Sequence, residues 1–179
     1  MSTLREPKPV KLVISLIFNN SADLVIIKNK LGESLGNVDF ESEILNFEHS
    51  DYYKKEMGEN LRRKFLAFRK LIKRDKLVNI KILCNDLESS FMNDGRRNVN
   101  IDPGYLAHEH LILATGKGFA HRPYLGRGVY ADLTLIYTQN DYQSLDWTYP
   151  DYNENRIKDF FRQLRKIYNT NLSEDNKDD

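Results

Sequence analysis

The chain has 179 residues, 40 % of them hydrophobic and 30 % charged, with a formal net charge of +1. This is globular composition in the size range of one domain, and the near-neutral balance excludes a whole-molecule field that would attract nucleic acid. The longest apolar stretch, residues 12–18 broken by Ser15, is far short of the roughly 20 residues a membrane helix needs.

Pro7 and Pro9 fall where a signal peptide would carry an unbroken apolar helix, so a cytoplasmic location without a membrane partner is the expectation. The lone cysteine, Cys84, makes no internal disulfide and reads as a small buried residue at a strand end.

In chain order, residues 10–18 read as a central strand, apolar on both faces. Asn19-Asn20-Ser21 form a turn and cap. Residues 22–35 then carry Leu24, Ile27, Leu31 and Leu35 at helical spacing, ended by Gly36. Residues 38–47 alternate as a second strand. Residues 58–74 place Leu61, Phe65, Phe68 and Leu71/Ile72 on one helical stripe, ringed by Arg62, Arg63, Lys64, Arg69, Lys70, Lys73 and Arg74, and so read as a basic amphipathic helix. Residues 77–83 read as a short strand. This half suits a ferredoxin-like arrangement, provided that an extra strand lies near residues 47–54.

The second half reads as strands at 97–101, 111–115, 129–138 and 142–145, with Gln139-Asn140-Asp141 supplying hairpin chemistry. Asp102-Pro103 offers a helix start, resolved here as a short turn before a strand. Asp151-x-x-Glu154 is a capping-box pattern opening a last helix with Ile157, Phe160, Leu164 and Ile167 on its stripe. The expected fold is therefore α+β: one domain over residues 1–172, a mixed or mostly antiparallel sheet, three main helices, and a disordered acidic tail at 173–179.

Alternation sends Asn98, Asn100 and Asp102 to one strand face, and Tyr130, Asp132 and Thr134 to one face of another. Between them, residues 117–128 set Lys117, His121, Arg122 and Arg127 among glycines, the residue types that cradle phosphate or carboxylate. His121 is the acid/base candidate because its ordinary pKa lies near neutrality; Asp102 and Asp132 would orient it or recruit a divalent ion. Asn100, Lys117, Arg122, Tyr124, Arg127, Tyr149 and Asp151 are the candidate ligand-binding residues, and the aromatic segment 147–152 serves as a pocket wall or as a corner docking the last helix.

Arg122 carries a sharp alternative: it offers its planar fork to a phosphate, or it pairs with a buried Asp102 or Asp151. Two motifs fail. Residues 114–118 look like the end of a phosphate-binding P-loop, but Leu111 stands where the motif needs glycine and Gly118 where it needs Ser or Thr, and His108-Glu109-His110 gives a histidine pair without a third metal ligand.

The strings Asn100-Ile101-Asp102-Pro103-Gly104-Tyr105-Leu106, Leu113-Ala114-Thr115, His121-Arg122-x-Tyr124-Leu125-Gly126, Tyr130-Ala131-Asp132-Leu133-Thr134-Leu135 and Trp147-Thr148-Tyr149-Pro150-Asp151-Tyr152 resemble the bacterial domain of unknown function 4416. Tyr52-Tyr53 and Glu56-Met57-Gly58 resemble its earlier signature, and Asp132 stands where that family's strand pattern carries glutamate. The resemblance implies where a site lies and names no reaction or cofactor. The residues themselves lead to two expectations: a phosphorylated small molecule or nucleotide bound in the second half, or RNA bound along the basic helix. A purely structural partner protein is a third. Cofactor and oligomeric state are not encoded in any motif found.

Overall fold

The computed structural model describes residues 3–48, 51–92 and 95–175. Strand β1, Val10–Phe18, is buried at every position. Its two apolar faces require cover on both sides, and the topology supplies it. Helix α1, Leu24–Leu35, follows, with the Asp23 carboxylate accepting the Val25 and Ile26 amides as its N-cap and Gly36 closing it. Strand β2, Val38–Glu41, and strand β3, Leu45–Asn46, are two short pieces in place of the single expected strand.

Helix α2, Asp51–Met57, occupies the region where an extra strand was expected. Strand β4, Arg62–Ile72, replaces the expected basic helix. Helix α3, Leu77–Ser90, replaces the expected strand and carries the buried Cys84, whose thiol burial pushes up to about 12.

Both exchanges have one physical cause. A strand covered on both faces loses the polar alternation that identifies strands, and a short apolar run does not distinguish a buried strand from a buried helix. In β4, Phe65 and Ala67 enter one core while Leu66 and Phe68 enter the other. The spacing of Leu61, Phe65 and Phe68 is helical only by coincidence. In α3, Leu77, Ile80, Lys81, Cys84 and Glu88 are the buried residues, an i, i+3, i+4, i+7, i+11 series.

The rest of the chain forms strands β5, Val99–Leu106; β6, His110–Thr115; β7, Tyr124–Gly126; β8, Val129–Thr138; and β9, Asp141–Ser144. The expected helix start at Asp102-Pro103 lies inside β5. Gln139 and Asn140, both at positive φ, make the two-residue β8–β9 turn. A 3-10 turn, Pro150–Asn153, holds Asp151, which therefore does not cap the last helix; helix α4, Asn155–Asp175, begins beyond it. Ser173, Glu174 and Asp175 of the expected tail are helical, and residues 176–179 lie outside the described residues.

Four helices accompany nine strands among the described residues, and the three main ones, α1, α3 and α4, have 12, 14 and 21 residues beside the seven of α2. The sheet runs β2-β4-β1-β5-β6-β8-β7, with β3 on β4 and β9 on β8, and its paired strands are antiparallel. The order β2-β4-β1-β5, with α1 leading from β1 to β2 and α3 from β4 to β5, is the ferredoxin-like alternation, reached with different elements from those expected.

Helices α1 and α3 cover Leu12, Ile14, Leu16 and Phe18 on one face. On the other face α4 lays Ile157, Phe160, Phe161, Leu164, Tyr168 and Leu172 against Val13, Phe65, Leu113 and Leu135. Each such side chain contributes about 1.5–3 kcal/mol of burial. No helix among the described residues is long and apolar enough to cross a membrane.

One local feature positions the site. β5 pairs with β6 only from Gly104 to Leu106, and the two strands part company before it. A Cβ on Gly104 would overlap the Ile112 carbonyl oxygen and stand 2.7 Å from Leu113 Cδ2. Gly104→Ala is therefore expected to cost about 3 kcal/mol, the upper end for overpacking, in urea unfolding. A loss below about 1 kcal/mol would show that the strands can part further without penalty.

Candidate functional site

Where β5 and β6 diverge, a cleft of about 430 Å³ opens. Register sets its floor: Ser15 of β1 lies between Phe65 of β4 and Asp102 of β5, and one row along, Ile17 lies between Arg63 and Asn100. Side chains two residues apart share a face, so Ser15, Arg63, Asn100 and Asp102 all rise on the α4 side of the sheet. Lys81, Asn85 and Glu88, at i, i+4 and i+7 of α3, enter through the gap between the strands. Thr115, Gly116 and Lys117 form one rim, with Tyr149 to Tyr152 opposite.

Opposite charges are matched closely. Lys81 Nζ donates to Asp102 Oδ1 at 2.8 Å, and Asn100 Nδ2 donates to Asp102 Oδ2 at 2.6 Å. Burial by itself would raise the Asp102 carboxyl, but the Lys81 ammonium and the Asn100 bond outweigh it and hold the group below its ordinary range. Burial would likewise lower Lys81, and the Asp102 charge overrides it upward. Both remain charged at neutral pH. Glu88 accepts the Ile101 amide on one oxygen and Arg97 Nη1 on the other, so it ties the free edge of β5 to α3. Burial nevertheless pushes its carboxyl up.

Arg63 differs from these. It is 5 % exposed, and its guanidinium lies 4.8–5.4 Å from the ring centroids of Phe47, Phe65 and Tyr152. Nη1 approaches Asp151 Oδ2 to 2.9 Å, an ion contact misdirected for a hydrogen bond: Nε, Nη1 and Oδ2 are all buried without a hydrogen-bond partner. Burial pushes the neighbouring Tyr152 hydroxyl up to about 12, so it stays protonated.

Of the residues expected to form a site, Asn100, Asp102, Lys117, Asp132, Tyr149 and Asp151 border this cleft. Arg122 stands behind the rim with its fork engaged: Nε donates to Asp132 Oδ2 at 2.7 Å, Nη1 to the Lys117 carbonyl and Nη2 to the Tyr149 hydroxyl. Its buried carboxylate partner is thus Asp132, rather than Asp102 or Asp151. His121 stacks on Trp147 with 4.7 Å between ring centroids, and its Nε2 lies 3.8 Å from Asp132 Oδ2.

Tyr124 and Arg127 lie outside the cleft. The Tyr124 hydroxyl accepts the Gly128 amide, and Arg127 donates to Asn79. His108 contacts Asn169, and no group of three or more potential metal ligands occurs among the described residues. The segment 147–152 divides its work: Tyr152 is 2 % exposed in the core, whereas Tyr149 is 48 % exposed on the rim.

Ser15, Tyr53, Arg63, Lys81, Asn85, Glu88 and Arg97 complete the cleft and were not foreseen as site residues. Arg63 was assigned to a solvated helix and Lys81 to a strand. The available signal was the series Ile80, Cys84, Leu87 and Phe91, whose spacing turns Lys81 and Glu88 toward one side of a helix. The basic helix expected to carry RNA is absent, and Arg63 and Lys64 from it are buried.

A family model described as a domain of unknown function, DUF4416, matches residues 8–168. No curated protein and no solved structure matches the chain.

Proposed function

The chain belongs to the DUF4416 family, whose description names no activity, and from the chemistry of the cleft we propose that it binds a phosphorylated small molecule or nucleotide there. The observation that carries this reading is Arg63. A buried guanidinium on the floor of a cleft, with no hydrogen bond from Nε and only an ion contact from Nη1 to Asp151, forgoes hydrogen bonds that an anionic oxygen would restore, and such charge-assisted bonds are the stronger class. The three rings hold it in place, so little side-chain freedom is lost on binding.

Lys117 brings a second positive charge at the exposed rim. Asp151, whose Oδ2 meets Arg63 as an ion contact and accepts no hydrogen bond, offers an acceptor for a hydroxyl or amine, which favours an organic phosphate over bare phosphate. Tyr149 provides a face for a base or sugar ring, positioned by Arg122. Asp102 and Asp132 also border the cleft, and His121 would act through Asp132.

A thermal-shift panel of sugar phosphates, nucleotides and inorganic phosphate tests the reading, because a native-state ligand raises Tm by mass action. At least one phosphorylated compound is expected to raise Tm. Lys117→Ala, a change at an exposed position, should weaken its affinity about tenfold. No response to any phosphorylated compound at millimolar concentration would remove the proposal.

A further inference from the structure

A second pocket lies beside the cleft, walled by Asn19 and Ser21 after β1, by residues 54–58 at the end of α2, and by residues 96–98 leading into β5. It is prebuilt. Asn19 donates its backbone amide to the Asn98 carbonyl at 3.1 Å and its side-chain amide to the Met57 carbonyl at 2.8 Å, tying the three segments together.

Its charge is lopsided where that of the cleft is balanced. Arg63, Lys81, Arg97 and Lys117 in the cleft face Glu88, Asp102, Asp132 and Asp151. In the second pocket, among the described residues, Lys55, Arg96 and Arg97 face Glu56, and Glu56 is already bound by Arg97. Among the described residues Lys55 and Arg96 have no carboxylate partner, and both are exposed. Cations gathered in a concave surface with low-dielectric walls focus their field on its interior.

The bland explanation is that lysines at the end of a helix offset its dipole. That accounts for Lys54 and Lys55 in the last turn of α2 and leaves Arg96 and Arg97, which come from another segment, unexplained. Arg97 borders both cavities, pairs with Glu88 on the cleft side and Glu56 on the other, and keeps a buried Nε without a partner.

We infer that this pocket is an anion subsite adjoining the cleft, so that the ligand carries a second anionic group, as a nucleoside diphosphate or a bisphosphorylated small molecule does. The class of ligand rests on the reading of the cleft given above. Anion binding in the second pocket does not.

The test uses the full chain and inorganic pyrophosphate as probe, read by isothermal titration. Pyrophosphate is expected to bind, to lose at least about tenfold in affinity in the double variant Lys55→Ala/Arg96→Ala, and to be unaffected by Lys117→Ala. A second double variant, Lys70→Ala/Lys73→Ala, removes the same charge from exposed positions elsewhere and should leave binding unchanged. Nucleoside diphosphates should bind at least about tenfold more tightly than monophosphates, and Lys55→Ala/Arg96→Ala should abolish that preference while sparing the monophosphate.

Absent pyrophosphate binding, or equal losses in the two double variants, overturns the inference. Loss on Lys117→Ala alone also overturns it, by placing the anion in the cleft and leaving the reading of the cleft intact. Pyrophosphate bound through Lys55 and Arg96 without any organic phosphate binding would uphold the subsite and remove the reading of the cleft instead.

Discussion

Arg122→Ala is expected to lower unfolding stability by about 3 kcal/mol, at the lower edge of what removing one partner of a buried ion pair costs. The Arg122 and Asp132 side chains are 10 % and 4 % exposed, so water does little to screen the carboxylate that the truncation leaves behind. Two further bonds disappear with it, to the Lys117 carbonyl and the Tyr149 hydroxyl, which frees both rims of the cleft. Ligand affinity should therefore fall together with stability. Arg122→Lys should recover only part of either, since one ammonium cannot reach three acceptors set around a planar fork. Urea unfolding and ligand-induced Tm shifts distinguish the cases: a stability loss under about 1 kcal/mol with abolished ligand response would make Arg122 a direct ligand contact, not a positioning residue.

Lys81→Met should cost a similar amount, about 3 kcal/mol at pH 7, because it removes the ammonium and leaves the Asp102 carboxylate with Asn100 and the more distant Arg63 field. Its pH dependence is the sharper test. In the wild type the Asp102 value is depressed below that of the unfolded chain, about 3.9, so its stabilisation is present above that pH and lost as pH falls through the folded value. Without Lys81 the dominant influence on Asp102 is burial, which raises the carboxyl, so the variant recovers relative to wild type as the group protonates. The stability gap should close between about pH 7 and pH 3. A gap of constant size over that interval would mean that Asp102 and Lys81 are not coupled.

Secondary structure was legible wherever one local pattern had one meaning. β1 and β8 were read to the residue from their runs of β-branched and aliphatic side chains, α1 from its stripe and Gly36, and the β8–β9 hairpin from residues suited to positive φ. Legibility failed at 62–72 and 77–90, where the same apolar spacing satisfies two structures. Which one forms depends on partners: β4 needs β1 and β2 on either side and a helix layer on each face before its charged residues can be buried.

The sequence by itself determined the α+β class and the antiparallel second half, and it pointed to Asn100, Asp102 and Asp132 by alternation along strands, to Lys117 by the glycines around it, and to Tyr149 and Asp151 by their aromatic segment, all of them patterns of neighbouring residues. Only the tertiary structure decided that Ser15, Arg63, Lys81 and Arg97 join them, that Arg122 is spent on Asp132, and that Tyr124 and Arg127 stand apart. The reason is register. Residues 15, 63 and 102 meet on one face because β4, β1 and β5 align them row by row, and Lys81 reaches Asp102 because β5 and β6 diverge enough to admit a helix side chain. Those alignments depend on contacts between segments far apart in the chain, which no local window of sequence contains.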